Sequence, residues 1–469
     1  MMFSIIRKIL QQTNNLLNGQ QQRSSSLLII DKFCRHLHSA TLYHNNNQRH
    51  HNNNNNNKLF EHESMNNNEL PEFPGMKAKF ITELKFLDRC DENDSIRPFR
   101  ILDVDGTFVA KQYEKQLDID LMKRFYREIV RLNQMDDILN QAQRQGRISF
   151  YMTSYGEEAT HFGPAAALSD KDWLFGQYRE PGVLLWRGFT YEQFISQCFG
   201  NNQDLGKGRQ MPIHYGSRDL NYVTIKSSLA TGLPHAVGAA YGFKLTQQDR
   251  VSFAYFGEGA ASEGDAHAAF NFAATLQCPV IFFCRNNGYA ISTPTKEQYH
   301  GDGIVVRGPA LGIPSIRVDG NDILACYYVV KEARRICIQE SRPALIEAMT
   351  YRLSHHSTSD DSSVYRSDVE VKSWKESSHP LNRIEKLLRR YDAFNEQEEK
   401  EWRNKHRKEM INLIDRLEKL PKVPIREMFT DVYDQMPEYL HEQHQELMEH
   451  LQKYHQHYPQ LTNFMDDKK

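Results

Sequence analysis

Two short segments combine the residue types that hold a metal-bound anion. Gly257-Glu258-Gly259 follows the apolar run Val251 to Phe256 and precedes Ala260, Ala261, Ser262, Glu263, Gly264 and Asp265, after which a helix is expected to begin. The run reads as a strand, and parallel sheets bind ligands beyond the carboxyl ends of their strands. Gly257 and Gly259 are expected to let the backbone approach a phosphate at positive φ, and the following helix offers unpaired N–H donors to an anion. A carboxylate between those glycines would repel the anion unless a cation intervenes. The next apolar run, Val280 to Cys284, leads into Arg285-Asn286-Asn287-Gly288-Tyr289. Carboxylate and carboxamide oxygens suit Mg²⁺, which takes few protein groups together with phosphate oxygens. Arg285 adds a fork of donors for a diphosphate. Taken alone, Gly-Glu-Gly is a weak signal, and a turn with a solvated glutamate describes it better.

The elements that must position these groups are legible in outline. From Leu121 to Leu139 the apolar residues Leu121, Phe125, Ile129, Leu132, Met135, Ile138 and Leu139 recur at steps of three and four, which predicts an amphipathic helix opening the folded domain. Val251 to Phe256, Ala266 to Leu276 and Val280 to Cys284 then follow the strand, helix, strand order of a parallel sheet. Beyond Pro380 charged helix formers with apolar spacing take over at Leu381, Ile384, Leu387 and Leu388, then over Glu396 to Leu420 and Met436 to Tyr454. These read as helices packed on a neighbour. The stretch Tyr351 to Ser363 is polar and is expected to be an exposed loop.

With 469 residues, a formal net charge of -2 and no long basic stripe, the chain can bury a large core and gives no sign of a nucleic-acid surface. The seven cysteines are scattered and form no CxxC pair, which fits a reducing compartment. No apolar run approaches the ~20 residues that cross a bilayer, so a soluble protein without a membrane partner is expected. From Met1 to Lys58 the only acid is Asp31, set against Arg7, Lys8, Arg23, Lys32, Arg35, Arg49 and Lys58. That composition resembles a mitochondrial transit peptide, and the Asn/His tract ending in Asn52 to Asn57 cannot build a core. The expected division is a leader over 1–58, an arm over 59–120, the α/β domain over 121–380 and a helical extension over 381–469.

The pairing of Gly257-Glu258-Gly259 with Asn286-Asn287, separated by the segment Ala260 to Arg285, closely resembles the thiamine diphosphate motif. In that motif the acid and the second Asn hold Mg²⁺ together with the backbone carbonyl two residues later, roles that fall on Glu258, Asn287 and Tyr289. The resemblance implies a parallel-sheet thiamine diphosphate-binding α/β fold with helices on both faces and helical extensions at both ends. From Phe73 onward the chain resembles the alpha subunits of branched-chain 2-oxo acid dehydrogenases. Gly146 to Tyr151, Phe175 to Glu180, Gly206 to Pro212 and Tyr351 to Ser367 carry the likeness.

By that resemblance Gln177, Tyr178, Arg179, Ser227, Gly259, Ala260, Arg285 and His356 contact the cofactor, Arg352 orients a loop, and His356 is the catalytic histidine. It also implies decarboxylation of a small 2-oxo acid, with acyl transfer to the lipoyl group of an acyltransferase component in the mitochondrial matrix. A beta subunit is implied as partner in an α2β2 heterotetramer, together with a kinase and a phosphatase acting on Ser357 and, secondarily, Ser367. A phosphate beside His356 would add about -1.5 to -2 charge and block entry.

The family's potassium site falls on the segment Val223 to Gly232. Lys226, Ser228 and Gly232 stand there in place of a Ser, a Pro and a Gln, and only Thr231 keeps the pattern. Ser228 and Thr231 remain as oxygen donors, and the Lys226 ammonium either replaces K⁺ or stands in solvent. The pyruvate dehydrogenase alpha subunit shares the Gly-acid-Gly and Asn-Asn elements, but Tyr178-Arg179-Glu180-Pro181 and the His355-His356-Ser357 loop differ from its pattern. A non-catalytic assembly protein is the alternative from another class, and it predicts no thiamine diphosphate binding with any partner.

Overall fold

The computed structural model describes residues 95–465. The leader over 1–58 and the arm as far as residue 94 lie outside the described residues. The described part of the arm contributes a short 3-10 helix, Lys111–Gln116, and a parallel bridge from Phe99 to Val318.

The helix expected over Leu121 to Leu139 runs longer, as α1, Ile119–Arg144. The Asp118 carboxylate accepts from the Leu121 backbone N–H at 3.0 Å and satisfies one of the orphan donors of the first turn. The apolar stripe continues to buried Ala142, and the chain turns away at Gly146, whose φ of +74° suits a residue without Cβ.

Eight strands follow in sequence: β1, Trp173–Phe175; β2, Tyr222–Val223; β3, Ser252–Gly257; β4, Val280–Asn286; β5, Tyr289–Ala290; β6, Thr293–Pro294; β7, Ser315–Asp319; and β8, Ala344–Met349. β5 and β6 form a small antiparallel hairpin directly after β4. The other six make one sheet in the order β2-β1-β3-β4-β8-β7, with every pairing parallel. The ends of β1, β3, β4 and β8 are therefore neighbours at one edge, although their sequences are far apart.

Alternate side chains of the central strands enter two separate cores. Phe253, Tyr255, Ile281, Phe283 and Ile346 face one core, whereas Ala254, Phe256, Phe282, Cys284 and Leu345 face the other. The helices that cover the sheet are α2, Ala159–Ala167; α3, Gly232–Leu245; α4, Gly264–Leu276; and α5, Ile323–Glu340. α1, α2 and α5 complete the first core, and the alanine-rich α3 and α4 complete the second. Burial on both faces is why Val280 to Cys284 is apolar without alternation. α4 begins at Gly264, two residues earlier than expected, after a 3-10 turn over Ala260–Ser262.

The C-terminal helices are α6, Asp368–Ser377; α7, Pro380–Arg390; α8, Glu396–Leu417; and α9, Glu438–Lys453. α7 buries Ile384, Leu387 and Leu388, and α8 buries Met410, Ile414 and Leu417, in the core that α1 shares. α8 stops at Leu417, ahead of Pro421, and α9 starts behind Pro437, so the two prolines trim the expected spans. The described cysteines, Cys198, Cys278, Cys284, Cys326 and Cys337, are free and buried. Among the described residues no helix is long and apolar enough to cross a membrane.

The stretch from Tyr351 to Ser363 departs from its expected exposure: Tyr351, Arg352, Ser357 and Ser362 are buried. Arg366 lies beneath the loop and donates to the carbonyls of Arg352 and Ser354 and, at 3.3 Å, of Leu353. Part of the polar composition serves internal hydrogen bonds, while His355, Ser359, Asp361 and Ser363 remain exposed. Phe283, fully buried between the rings of Phe253 and Tyr255 at 5.5 and 5.3 Å, tests the central core. Phe283→Ala is expected to lower stability by about 3 to 5 kcal/mol in urea unfolding, and Phe283→Leu by well under half of that.

Candidate active site

The strand order brings four strand ends together. Gln177, Tyr178 and Arg179 follow β1, Glu258 follows β3, Arg285 to Tyr289 end and follow β4, and Arg352 to His356 follow β8. The Gln177 carboxamide oxygen accepts from the Gly257 N–H at 2.6 Å and ties the first segment to the second.

The centre of the site is a buried charge cluster that the residue pattern alone did not single out. Arg285 forms ion pairs with Glu157, Nε to Oε2 at 2.9 Å, and with Glu180, Nη2 to Oε1 at 2.8 Å, and all three side chains are withdrawn from solvent. Burial opposes the Arg285 charge, but the Glu180 and Glu157 carboxylates more than compensate and raise its pKa. Glu180 Oε2 also accepts from the backbone N–H groups of Gln177 and Tyr178, at 2.9 Å each. Glu157 Oε1 accepts from the Asn287 carboxamide at 3.1 Å. The Arg179 guanidinium donates to the carbonyls of Thr153 and His356, at 2.7 Å each. The forks of Arg179 and Arg285 are thus engaged by the chain's own oxygens. Glu180 sits inside the Tyr178-Arg179-Glu180-Pro181 motif, which was its only signal, and Glu157 has none in the sequence.

Glu258, Asn287 and Tyr289 are brought together. The Asn287 N–H reaches Glu258 Oε2 at 3.3 Å, and the Tyr289 N–H reaches Asn287 Oδ1 at 3.2 Å. Glu258 Oε1 is buried without a hydrogen-bond partner, and burial raises the carboxyl pKa. An orphaned carboxylate oxygen beside a carboxamide oxygen is a donor set that fits a hard cation. Among the described residues no group of three or more His, Cys, Asp or Glu is placed to hold a metal. A cation at Glu258 would therefore draw on the carboxamide, a backbone carbonyl and ligand oxygens.

The glycines differ from expectation. Gly257 and Gly259 do not take positive φ; Gly259 has φ -66° and ψ -43°. Space is what Gly259 requires, since a Cβ there would meet the Ala290 Cβ at 2.6 Å. The left-handed residue is Gly288, φ +89°, which turns the chain out of β4 into the hairpin. Ala260 is buried at the start of the 3-10 turn.

His356 is partly buried, with Nδ1 3.4 Å from both Arg179 Nη2 and Arg352 Nη1. Its ring stands edge-on to Tyr178 at 5.9 Å. Burial, then the charges of Arg179 and Arg352, push its pKa down to about 3. Two guanidinium donors at Nδ1 leave the neutral ring with its proton on Nε2. The His356 backbone N–H is held by Asp360 at 2.7 Å, and Arg352 also donates to the carbonyl of Ile291 and the hydroxyl of Tyr365, at 2.8 Å each. The neighbouring His355 is exposed and closes the loop through Ser362. Ser357 is buried beside His356, and exposed Ser367 caps α6.

One strand further out, Ser227 Oγ meets His214 Nε2 at 2.8 Å. Lys226 is exposed, with its ammonium against Nδ1 of His235, and partial desolvation lowers its pKa. Thr231 donates to the Ser228 carbonyl at 2.9 Å. Lys226, Ser228 and Gly232 line a small cavity with Phe175, Gln177 and Tyr255.

Two outcomes follow from these charges. Arg285→Met leaves the buried Glu157 and Glu180 uncompensated and is expected to cost about 3 to 5 kcal/mol in urea unfolding. His356 has a folded pKa near 3, against about 6.5 when unfolded, so only the unfolded chain takes up its proton in that interval. Its contribution to stability is present above pH 6.5 and is lost as pH falls toward 3. Replacement by Asn should flatten that slope, and NMR should show a neutral His356 ring between pH 5 and 8.

The sequence profile of the dehydrogenase E1 component family matches residues 126–426. The mitochondrial 2-oxoisovalerate dehydrogenase alpha subunit of Macaca fascicularis is 53% identical over 392 residues, 84% of this chain and 88% of that protein. Its Bos taurus counterpart is 54% identical over 84% of this chain and 86% of its own length. The Caenorhabditis elegans counterpart is 53% identical over 82% and 89% respectively. Together with the parallel sheet and the groups at its carboxyl edge, these matches show that the chain belongs to the dehydrogenase E1 component family, among the 2-oxoisovalerate dehydrogenase alpha subunits.

Proposed function

We propose that this chain, with a beta subunit, forms the thiamine diphosphate-dependent decarboxylase of a mitochondrial branched-chain 2-oxo acid dehydrogenase complex. It acts on the 2-oxo acids derived from leucine, isoleucine and valine and passes the acyl group to the lipoyl group of an acyltransferase component. The carrying observation is the convergence of Glu258, Asn287, Tyr289 and the arginine cluster at one sheet edge, in a chain more than half identical to such subunits over most of its length. The basic leader over 1–58 serves as the targeting segment, followed by the arm, the α/β domain over 121–380 and the helical extension.

The bound cofactor supplies an electron sink for loss of CO₂ from a 2-oxo acid. Glu258 Oε1, the Asn287 carboxamide oxygen and the Tyr289 carbonyl would hold Mg²⁺, which in turn neutralises the diphosphate. Gln177, Tyr178, Ser227, Gly259 and Ala260 line the cofactor, and Arg179 and Arg285 add positive potential for its diphosphate. His356 is the catalytic histidine: neutral at physiological pH, it presents the Nε2 proton to a developing oxyanion and takes no proton from Arg179 or Arg352. The exposed apolar side chains of Leu245, Phe272 and Leu276 on α3 and α4 support a partner chain covering that face. Ser357 is the inactivating kinase site and Ser367 a secondary one, reversed by a phosphatase. A phosphate on buried Ser357 would force the histidine loop open. Lys226 stands in for K⁺, so activity should not depend on that ion.

Co-expression of residues from 59 onward with candidate beta subunits, assayed with thiamine diphosphate and Mg²⁺, tests this reading. Branched-chain 2-oxo acids should turn over in preference to pyruvate, and Glu258→Ala should abolish both turnover and Mg²⁺-dependent cofactor binding. Preference for pyruvate would move the chain to the sister family, and loss of cofactor binding with every partner would leave an assembly protein.

A further inference from the structure

Tyr289 and Tyr351 leave the sheet side by side, because β4 and β8 are paired neighbours with Asn286 opposite Met349. Their rings stand edge to face, 6.3 Å apart. A single atom joins them: Glu370 Oε1 accepts from the Tyr289 hydroxyl at 3.0 Å and from the Tyr351 hydroxyl at 2.8 Å. Glu370 is the third residue of α6, whose cap Ser367 accepts from the Glu370 N–H at 3.2 Å. In a Ser-x-x-Glu capping box the glutamate side chain returns to the backbone of the cap. Here it leaves the helix for the two phenols, so the helix start is fastened to the active-site edge.

One turn later on the same helix, Trp374 stacks on the Tyr351 ring with planes 7° apart and centroids at 5.0 Å. Arg366 lies over both tyrosine rings, at 5.4 and 5.9 Å, while it holds the carbonyls of the histidine loop. Arg352 supplies a separate strap from the His356 loop to the Ile291 carbonyl at 2.8 Å. Glu370 supplies the tie nearest to Tyr289.

We propose that Glu370 is a positioning residue that couples the two loops of the active site: by holding Tyr289 and Tyr351 together, it sets the segment 287–291 against the histidine loop 351–367. Its catalytic consequence rests on the reading of Tyr289 as a cation ligand and His356 as the active-site histidine. A charged acceptor for two phenols is strong enough to fix a relative position, and the shared oxygen means that loss of either phenol weakens the same tie.

Amide hydrogen exchange on the assembled heterotetramer, without and with thiamine diphosphate and Mg²⁺, tests the tie. Glu370→Ala and Tyr289→Phe should each speed exchange in both 287–294 and 353–364 by on the order of tenfold. The double variant should be no faster than either single one, and Glu370→Gln should restore part of the protection. In Tyr289→Phe the helix 368–377 should exchange as before. The apparent KM for thiamine diphosphate should rise several-fold, with kcat at saturating cofactor little changed. Faster exchange confined to 368–377 in Glu370→Ala, additive effects in the double variant, or an unchanged KM would each overturn the proposal. Glu258→Ala in the same assay reads the cation site on its own. If it leaves cofactor affinity unchanged, the metal reading fails, and exchange measured without cofactor still decides whether Glu370 joins the loops.

Discussion

The arrangement at the carboxyl edge of the sheet depends on one guanidinium held between two buried carboxylates. Arg285 lies on β4, Glu180 follows β1, and Glu157 precedes α2, so a single cluster fastens three distant parts of the chain. Withdrawing these charges from water is costly, and their mutual attraction offsets the cost only when the remaining donors and acceptors are also satisfied. Here the second oxygen of each carboxylate is satisfied. Glu180 takes two backbone N–H groups of the Gln177 to Arg179 turn, and Glu157 takes the Asn287 carboxamide. The cluster therefore orients the Gln177 to Arg179 turn and the Asn287 side chain, beyond balancing its own charge.

A second consequence is the state of His356. A largely desolvated histidine, set among Arg179 and Arg352, cannot readily become a cation, and its uncharged Nδ1 accepts what those groups donate. The same arginines that create a positive site thus leave one neutral ring with a proton directed elsewhere. Asp360, Arg352 and Arg366 hold the loop from below, which explains how a segment composed of serines, histidines and aspartates can be partly buried.

The two faces of the sheet divide other tasks. The face toward α1, α2 and α5 carries large side chains and receives the C-terminal helices α7 and α8. The face toward α3 and α4 sets Phe256, Phe282 and Leu345 of the strands against helices rich in buried alanine, while Phe272 and Leu245 remain exposed on the outer sides of those helices. The outer apolar surface is the face on which the proposed partner chain would sit.

What the sequence determined by itself was whatever depends on local order. The period of α1, the apolar runs of β3 and β4, and the Gly-Glu-Gly and Asn-Asn pair were legible, because hydrophobic spacing and strand-end chemistry are properties of neighbouring residues. So was the proximity of Glu258 to Asn287, since consecutive parallel strands joined by one helix place their ends side by side. Glu157 and Glu180 as partners of Arg285 were not legible, nor was Glu370 as the acceptor for two tyrosines. Each contact joins elements whose neighbourhood is fixed by the order of strands in the sheet. The backbone at Gly259 also escaped, because its need is room beside Ala290, a residue on the following hairpin, rather than a left-handed conformation. Tertiary structure decided these points for one physical reason: burial, charge pairing and close contact are settled by which segments meet, and a single chain order permits many meetings until the sheet closes on one.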